Sequence, residues 1–83
     1  MKLIILTNAQ KMLANMPAHG GRAMRETLRV FAADPYGIHP WAKAFGDGVG
    51  RIRQGDWRAL YRIDNGVMTV TITRIGNRRE VYR

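Results

Sequence analysis

The chain has 83 residues, no cysteine and a formal net charge of +8. This length fits one small domain over residues 1–83, and the lack of cysteine excludes disulfides and thiolate metal sites. The apolar run near the N-terminus, Leu3–Leu6, is too short for a signal peptide or a membrane span. We therefore expect a soluble, cytoplasmic domain that does not associate with a membrane.

The positive charge comes mainly from arginine, with 11 Arg against 3 Lys. Residues 51–83 hold 8 of these arginines and only 3 acidic residues. Arginine binds phosphate oxygens through a planar fork of donors and also stacks on bases, so the composition favours a phosphate-bearing partner such as nucleic acid. A surface that is charged only for solubility would have the same composition.

The N-terminal half predicts one strand and a helical hairpin. Leu3–Leu6 is typical of a buried strand, and Thr7 or Asn8 is a candidate N-cap for the first helix, which Pro17 ends. The apolar face of this helix has helical spacing and consists of Ala9, Met12, Leu13 and Met16. His19-Gly20-Gly21 predicts a turn, and Arg22–Ala33 predicts a second helix that stops before Asp34-Pro35.

The C-terminal half predicts strands. Residues 34–50 are rich in Gly and Pro and predict a loop with aromatic anchors at Tyr36, Trp41 and Phe45, including a turn at residues 46–50. The strands that follow are expected at residues 51–53, 57–64, 67–75 and 79–82, with a tight turn at Gly55-Asp56 and a type I′ turn at Asn65-Gly66. The prediction is an α+β fold, β-α-α-β-β-β-β, with the helical hairpin on one face of a twisted, mostly antiparallel sheet.

Strand alternation predicts which side chains share a face. Met68, Val70 and Ile72 are expected to face the helices, whereas the threonines at 69, 71 and 73 face away. In the last predicted strand, Val81 anchors the segment to the core from the other side. The resulting threonine-floored surface is expected to gather Arg51, Arg53, Arg58, Arg78 and Tyr82.

Several kinds of chemistry lack the residues they need. The six acidic residues are scattered, which argues against a two-metal nuclease, and neither His19 nor His39 has a carboxylate at metal-ligand spacing. We expect neither a metal nor a cofactor. RNA cleavage by the ribose 2′-OH needs neither, because arginines can stabilise the phosphorane and a tyrosine ringed by cations can act as base. Tyr82 could equally be an aromatic that packs on a sheet edge.

The stretch from residue 51 to the end reads RIRQGDWRALYRIDNGVMTVTITRIGNRREVYR. Its basic strand, the GDWR segment followed by an apolar strand, the hairpin and the closing GNRREVYR resemble the RelE branch of the RelE/ParE toxin superfamily. The order of elements along the whole chain is also similar to that family. The resemblance implies a RelE-like fold and a toxin of a type II toxin–antitoxin system, an mRNA endoribonuclease that inhibits translation at the ribosomal A site.

The resemblance also implies roles for individual residues. Arg58 matches a phosphate-stabilising arginine, Arg78 matches an arginine that supports the transition state or leaving group, and Tyr82 matches a catalytic tyrosine. The RNA-binding residues that it implies are Arg51, Arg53, Arg62, Arg79 and Arg83. Arg51 and Arg53 depart from the lysines of the best-known member, and Asn77 stands where many relatives have histidine. Since arginine does not exchange protons near neutral pH, more of the proton transfer then falls to Tyr82.

The implied partners are mRNA, the ribosome and a cognate acidic antitoxin, with which the toxin would form a hetero-oligomer that binds operator DNA through the antitoxin. An exposed basic face and open sheet edges suit an acidic, partly disordered partner chain. Two other functions stay open at this point. One is ParE-like inhibition of DNA gyrase on the same fold, and the other is a non-catalytic protein that binds nucleic acid or antitoxin.

Overall fold

The structure, a computed structural model, describes residues 1–81; Tyr82 and Arg83 lie outside the described residues. The elements in chain order are β1 Lys2–Ile5, α1 Thr7–Asn15, α2 Ala18–Ala33, β2 Ala42–Gly46, β3 Val49–Gln54, β4 Trp57–Asp64 and β5 Thr69–Asn77. The sheet has the strand order β1-β5-β4-β3-β2, in which β1 runs parallel to β5 and the other neighbours are antiparallel. This confirms the predicted α+β fold.

The core lies between the helices and one face of the sheet. Helix α1 contacts β5, and α2 contacts β1 and β3. The largest fully buried side chains of this cluster are Met24, Leu28, Phe31, Ile52, Val70 and Ile72. Each such side chain contributes about 1.5–3 kcal/mol when it is removed from water. The inward positions of Val70 and Ile72 are confirmed, but Met68 is 58% exposed and lies in the turn before β5.

The helical hairpin has a shorter connection than predicted. Helix α2 begins at Ala18 directly after Pro17, so the turn predicted at His19-Gly20-Gly21 is wrong. A Cβ at Gly21 would lie 3.3 Å from the Leu13 carbonyl oxygen, which shows that glycine permits α1 and α2 to approach closely. Helix α1 begins at Thr7 with Leu6 as N-cap, so neither Thr7 nor Asn8 caps it.

Strand β2 was not predicted, because its sequence AKAFG contains alanines and a glycine and has low strand propensity. It forms a hairpin with β3 through a turn at Asp47-Gly48, and Gly46, Asp47 and Gly48 all have positive φ. The turn predicted at residues 46–50 is confirmed only at Asp47-Gly48, because residues 42–46 belong to β2 and residues 49–50 to β3. Of the three aromatic anchors, Trp41 packs against the core, whereas Tyr36 and Phe45 are exposed.

Of the two turns predicted between the later strands, one is confirmed and the other is wrong. Gly55-Asp56 forms the predicted tight turn between β3 and β4, with Gly55 at φ +58°. The type I′ turn at Asn65-Gly66 is wrong, because β4 ends at Asp64 and β5 begins only at Thr69. The Asp64 Oδ1 accepts hydrogen bonds from the backbone N–H groups of Gly66 and Val67, and Met68 takes the positive φ of +50°. The aspartate thus organises a longer turn.

A β-bulge in β5 changes the alternation of its side chains. The register shifts between the pairs Leu60–Arg74 and Tyr61–Ile72, which leaves Thr73 as the extra residue. As a result, Arg74 is exposed and Ile75 is buried, the reverse of what strict alternation from Val70 and Ile72 requires. The bulge therefore adds a cation to the face that points away from the helices.

The segment after β5 is a turn, so the strand predicted at residues 79–82 is wrong over 79–81. The backbone N–H groups of Glu80 and Val81 both donate to the Asn77 carbonyl, and the N–H of Arg79 donates to Asn77 Oδ1. Val81 is only 2% exposed but lies outside the main core cluster of the described residues. A Cβ at Gly76 would lie 3.5 Å from the Val81 Cβ, so Val81 anchors the segment onto Gly76.

Neither α1 nor α2 is long and apolar enough to cross a membrane, and these are the helices of residues 1–81.

Candidate functional site

Basic side chains from four adjacent strands share the sheet face that points away from the helices, which we call the open face. Residues paired across neighbouring strands point to the same face, so the strand register defines rows of side chains across it. The rows are Lys43–Arg51–Leu60–Arg74, Arg53–Arg58–Gly76 and Val49–Arg62–Thr71. Strands β2 to β5 contain one acidic residue, Asp64, whose carboxylate is engaged in the turn after β4.

Two of these cross-strand pairs oppose like charges. Lys43 lies opposite Arg51, and Arg53 lies opposite Arg58. Like charges that face each other across strands destabilise a sheet, by an amount comparable to the 0.2–1 kcal/mol that favourable pairs contribute. An anion such as a phosphate would relieve this repulsion, so the pairing indicates a surface suited to bind polyanions.

Arg58 and Arg78 lie at the same end of the sheet. Arg58 pairs with Gly76, two residues before Arg78, and the Arg78 backbone N–H donates to the Asp56 carbonyl at 2.8 Å. The turn between β3 and β4 thus holds the residues after β5 beside Arg58. The Arg58 Nη1 donates to the carbonyls of Gly55 and Trp57 at 2.8 and 3.0 Å, which fixes its guanidinium at this turn. Arg53, opposite Arg58, completes the cluster.

Two other ionisable side chains, His39 and Tyr61, make contacts that give them structural roles. The His39 ring stacks on Trp41 at 4.6 Å between ring centroids, and its Nε2 lies 2.6 Å from the Asp34 carbonyl oxygen. Burial, and to a smaller extent the neighbouring Tyr36, raises the pKa of the Tyr61 hydroxyl. Tyr61 is also part of the core cluster, which gives it a structural role. Within residues 1–81 no group of three or more histidines and carboxylates could hold a metal ion.

The residues predicted for the site are thus distributed as follows. Arg51, Arg53, Arg58 and Arg62 share the open face, and Arg78 lies beside it in the turn after β5. Arg79 is exposed in the same turn. Tyr82 and Arg83, the predicted base and one predicted RNA contact, lie outside the described residues.

Three residues of the open face and its edge were not predicted as site residues from the sequence. Lys43 and Phe45 belong to the unpredicted strand β2, and Arg74 reaches the open face only because of the bulge. The segment TITRIG has one break in its alternation of polar and apolar residues, which does not by itself indicate a bulge, whereas the glycines at 46 and 48 could have indicated the β2–β3 hairpin.

Comparison with known proteins finds a family model and several solved structures that match the chain. Residues 5–82 match the family model of the ParE toxin of the type II toxin–antitoxin system parDE. No curated protein sequence matches the chain significantly.

Solved structures show the same fold. The chain is similar to a chain of the RelBE2 toxin–antitoxin complex of Mycobacterium tuberculosis, with 26% identity, a TM-score of 0.75 and coverage of 92% of this chain and 95% of that one. It also resembles the archaeal RelE–RelB complex of Pyrococcus horikoshii (18% identity, TM-score 0.77, coverage 96% and 97%). The isolated RelE toxin of Escherichia coli is similar as well (15% identity, TM-score 0.77, coverage 92% and 82%).

The family match spans nearly the whole chain, and the helical hairpin on a five-stranded sheet is shared with the RelE structures. This protein belongs to the RelE/ParE superfamily of type II toxins and has a RelE-like fold.

Proposed function

We propose that this toxin is a metal-independent endoribonuclease that cleaves mRNA, with the open face as its RNA-binding surface. The observation that carries the proposal is the pair of opposed arginines, Arg53 and Arg58, beside Arg78 at one end of a face that holds six basic residues. Like charges opposed across strands repel each other, and a scissile phosphate carries the negative charge that suits such a cluster.

In the proposed reaction the ribose 2′-oxygen attacks the adjacent phosphorus and the bond from phosphorus to the 5′-oxygen breaks. The products are a 2′,3′-cyclic phosphate and a free 5′-hydroxyl. Arg58, held at the turn by its bonds to Gly55 and Trp57, stabilises the charge on the phosphorane, and Arg78 supports the departing 5′-oxygen. Tyr82 accepts the 2′-OH proton, and water supplies a proton to the leaving oxygen.

The proposed partners follow from the same face. The relatives from M. tuberculosis and P. horikoshii were solved as toxin–antitoxin complexes, the latter with RelB. We infer that a cognate acidic antitoxin binds and neutralises this toxin in the cytoplasm, and that the toxin acts on mRNA at the ribosomal A site. The +8 charge supports both partners, because acidic proteins and RNA are polyanions.

Expression in a host with a translation readout tests the proposal. We expect growth arrest with cuts inside translated codons, and we expect Arg58→Ala to reduce cleavage about 100- to 1,000-fold, as when a transition-state donor is removed. Tyr82→Phe should also relieve toxicity. Arg22→Ala, an exposed arginine on α2, is the matched control and should stay toxic.

The same experiment distinguishes a second candidate function. The family model that matches is that of the ParE toxin, which favours inhibition of DNA gyrase as the alternative. Growth arrest with intact messages and a DNA-damage response would support gyrase as the target and contradict the nuclease. Full toxicity of Tyr82→Phe would contradict only the role of Tyr82 as base.

A further inference from the structure

An apolar hollow lies within the cationic open face. It has a volume of about 230 Å³ and is lined by side chains from β2 to β5, including Phe45, Val49, Leu60, Arg62 and Thr73. The phosphate chemistry proposed above needs arginines and a base, and it gives no role to these hydrocarbon side chains. Pockets for drug-sized ligands measure about 300–1,000 Å³, so this hollow suits something smaller, such as one planar ring.

The hollow is surrounded by the cations of the open face. Leu60, part of its lining, pairs with Arg51 on one side and with Arg74 on the other, and Val49 pairs with Arg62. Arg58 precedes Leu60 by two residues on β4, which corresponds to about 7 Å along a strand. If an anionic ligand occupies the hollow, its negative groups would lie beside the arginines at the rim. They would then also be close to the proposed scissile phosphate.

Phe45 forms one wall of the hollow and is 52% exposed. The ring-to-ring contacts found among the described residues involve Phe31, His39, Trp41 and Tyr61, and none involves Phe45. The Phe45 ring thus has a face available to a ligand. Exposed aromatic rings beside arginines are the usual platforms on which single-stranded nucleic acids stack their bases.

We propose that Phe45 and this hollow bind the nucleobase of a nucleotide that flanks the scissile phosphate, while the arginines at the rim hold the phosphates. This inference rests on the proposed ribonuclease function and adds a base subsite to it. The lining is mostly hydrocarbon, and stacking tolerates any base. The subsite therefore positions the RNA strand without selecting a sequence. A nucleobase suits the hollow better than a protein side-chain segment does, because the hollow has the size of one ring. Its lining residues also pair across the strands with the arginines that are proposed to hold the phosphates.

An RNA oligonucleotide blocked by a 2′-O-methyl group at the cleavage position tests the subsite without turnover. Binding is measured by fluorescence anisotropy for the intact strand and for strands with an abasic site at either flanking nucleotide. We expect the chain to bind the intact strand about 10-fold more tightly than one of the abasic strands, as for one stacked base. Phe45→Ala should abolish this difference, and Phe45→Trp should retain it.

The variants are designed to separate stacking from folding. Phe45 is half exposed, so Phe45→Ala is expected to leave the melting temperature nearly unchanged. Phe45→Leu keeps apolar bulk without an aromatic face and should behave like Phe45→Ala. Val30→Ala, on the outer side of α2 with a similar exposure, is the matched control and should bind RNA like the parent chain.

Several results would overturn the inference. Equal binding of intact and abasic strands by the parent chain would exclude a base subsite, and an equal loss for both strands in Phe45→Ala would reduce Phe45 to a structural role. Weaker antitoxin binding with unchanged RNA binding would make the hollow a protein-docking site. Base-dependent binding through Phe45, together with no cuts in translated mRNA when the parent chain is expressed, would leave the subsite intact and contradict the nuclease instead.

Discussion

Tyr61 is a core residue whose neighbours along the strand belong to the open face. It lies on β4 between arginines at 58 and 62, in the stretch that carries the resemblance to the toxin family. Its side chain nevertheless points to the helices and is 5% exposed, with its ring centroid 4.5 Å from that of Phe31. Gly50, its cross-strand partner, leaves the space that the tyrosine ring occupies, because a Cβ at Gly50 would clash with the ring.

The raised pKa of Tyr61 predicts a loss of stability at alkaline pH. Burial, and secondarily Tyr36, raises the pKa of Tyr61 in the folded state above the value of about 10 in the unfolded chain. Below pH 10 both states keep the proton; above it the unfolded chain releases the proton first, so the free energy of unfolding falls as pH rises. Tyr61→Phe should flatten this fall above about pH 10, measured by urea denaturation.

Tyr36→Phe is the comparison for this measurement, because Tyr36 is 63% exposed. Since burial is the larger cause of the shift, most of the alkaline fall should persist when Tyr36 is replaced. An unchanged alkaline fall in Tyr61→Phe would show that other groups govern stability in this range.

At the scale of elements, the sequence pattern predicted those segments whose periodicity is strong. Strand β4 was predicted with its observed bounds, and the apolar face of α1 was correct in Ala9, Leu13 and Met16, all buried. Strand β2 was missed because its stability comes from pairing with β3 and not from its own composition. The sequence of the final segment alternates like that of a strand. Asn77, however, accepts hydrogen bonds from the backbone N–H groups of this segment, so the segment forms a turn.

A residue of the candidate site could be predicted from the sequence only where the strand that carries it was itself predicted correctly. Arg51, Arg53, Arg58 and Arg62 lie on strands with regular alternation, so their common face followed from the sequence. Arg74 has the parity of the buried Ile72 and reaches the open face through a bulge, which is a tertiary feature with no local signature. Phe45 depends on the β2–β3 hairpin in the same way.

The β2–β3 hairpin yields a prediction that separates backbone strain from steric clash. Gly46 and Gly48 both have positive φ, but a Cβ at Gly48 would lie 2.8 Å from the Ile63 carbonyl oxygen, whereas a Cβ at Gly46 would meet no atom within 4 Å. Gly46→Ala should therefore cost about 1 kcal/mol of unfolding free energy from strain alone. Gly48→Ala should cost clearly more, because it also disturbs the hydrogen bond from the Ile63 N–H to the Gly48 carbonyl.

Denaturant unfolding of the two alanine variants measures this difference directly. Equal costs at both positions would mean that β4 shifts to accommodate the new methyl group. In that case the hairpin would be held less rigidly than the contact with Ile63 implies, and Phe45 would be held less rigidly with it.

At the scale of the whole molecule, the charge is divided between two layers. The helix layer carries Arg22, Arg25 and Arg29, with Glu26 in a 3.4 Å ion pair with Arg29. The open face of the sheet gathers six basic residues and includes like-charge pairs. Opposed like charges destabilise a sheet, so under the proposed function this face trades stability for the capacity to bind a polyanion.

This trade predicts opposite effects of one substitution on stability and on RNA binding. Arg53→Gln removes one charge of the Arg53–Arg58 pair and should raise the unfolding free energy by about 0.2–1 kcal/mol at low salt, with a smaller gain at 0.5 M salt. It should also weaken RNA binding and reduce the slope of log K against log[salt] by about 0.7, the value for one phosphate contact to single-stranded RNA.

Arg22→Gln on α2 is the control, because it makes the same change in net charge away from the open face. It should change neither the stability nor the RNA affinity appreciably. Thermal melts and binding titrations over a salt series measure both effects. A loss of stability in Arg53→Gln would contradict the repulsion between Arg53 and Arg58. An equal loss of RNA affinity in Arg22→Gln would show that total charge and not the open face governs binding.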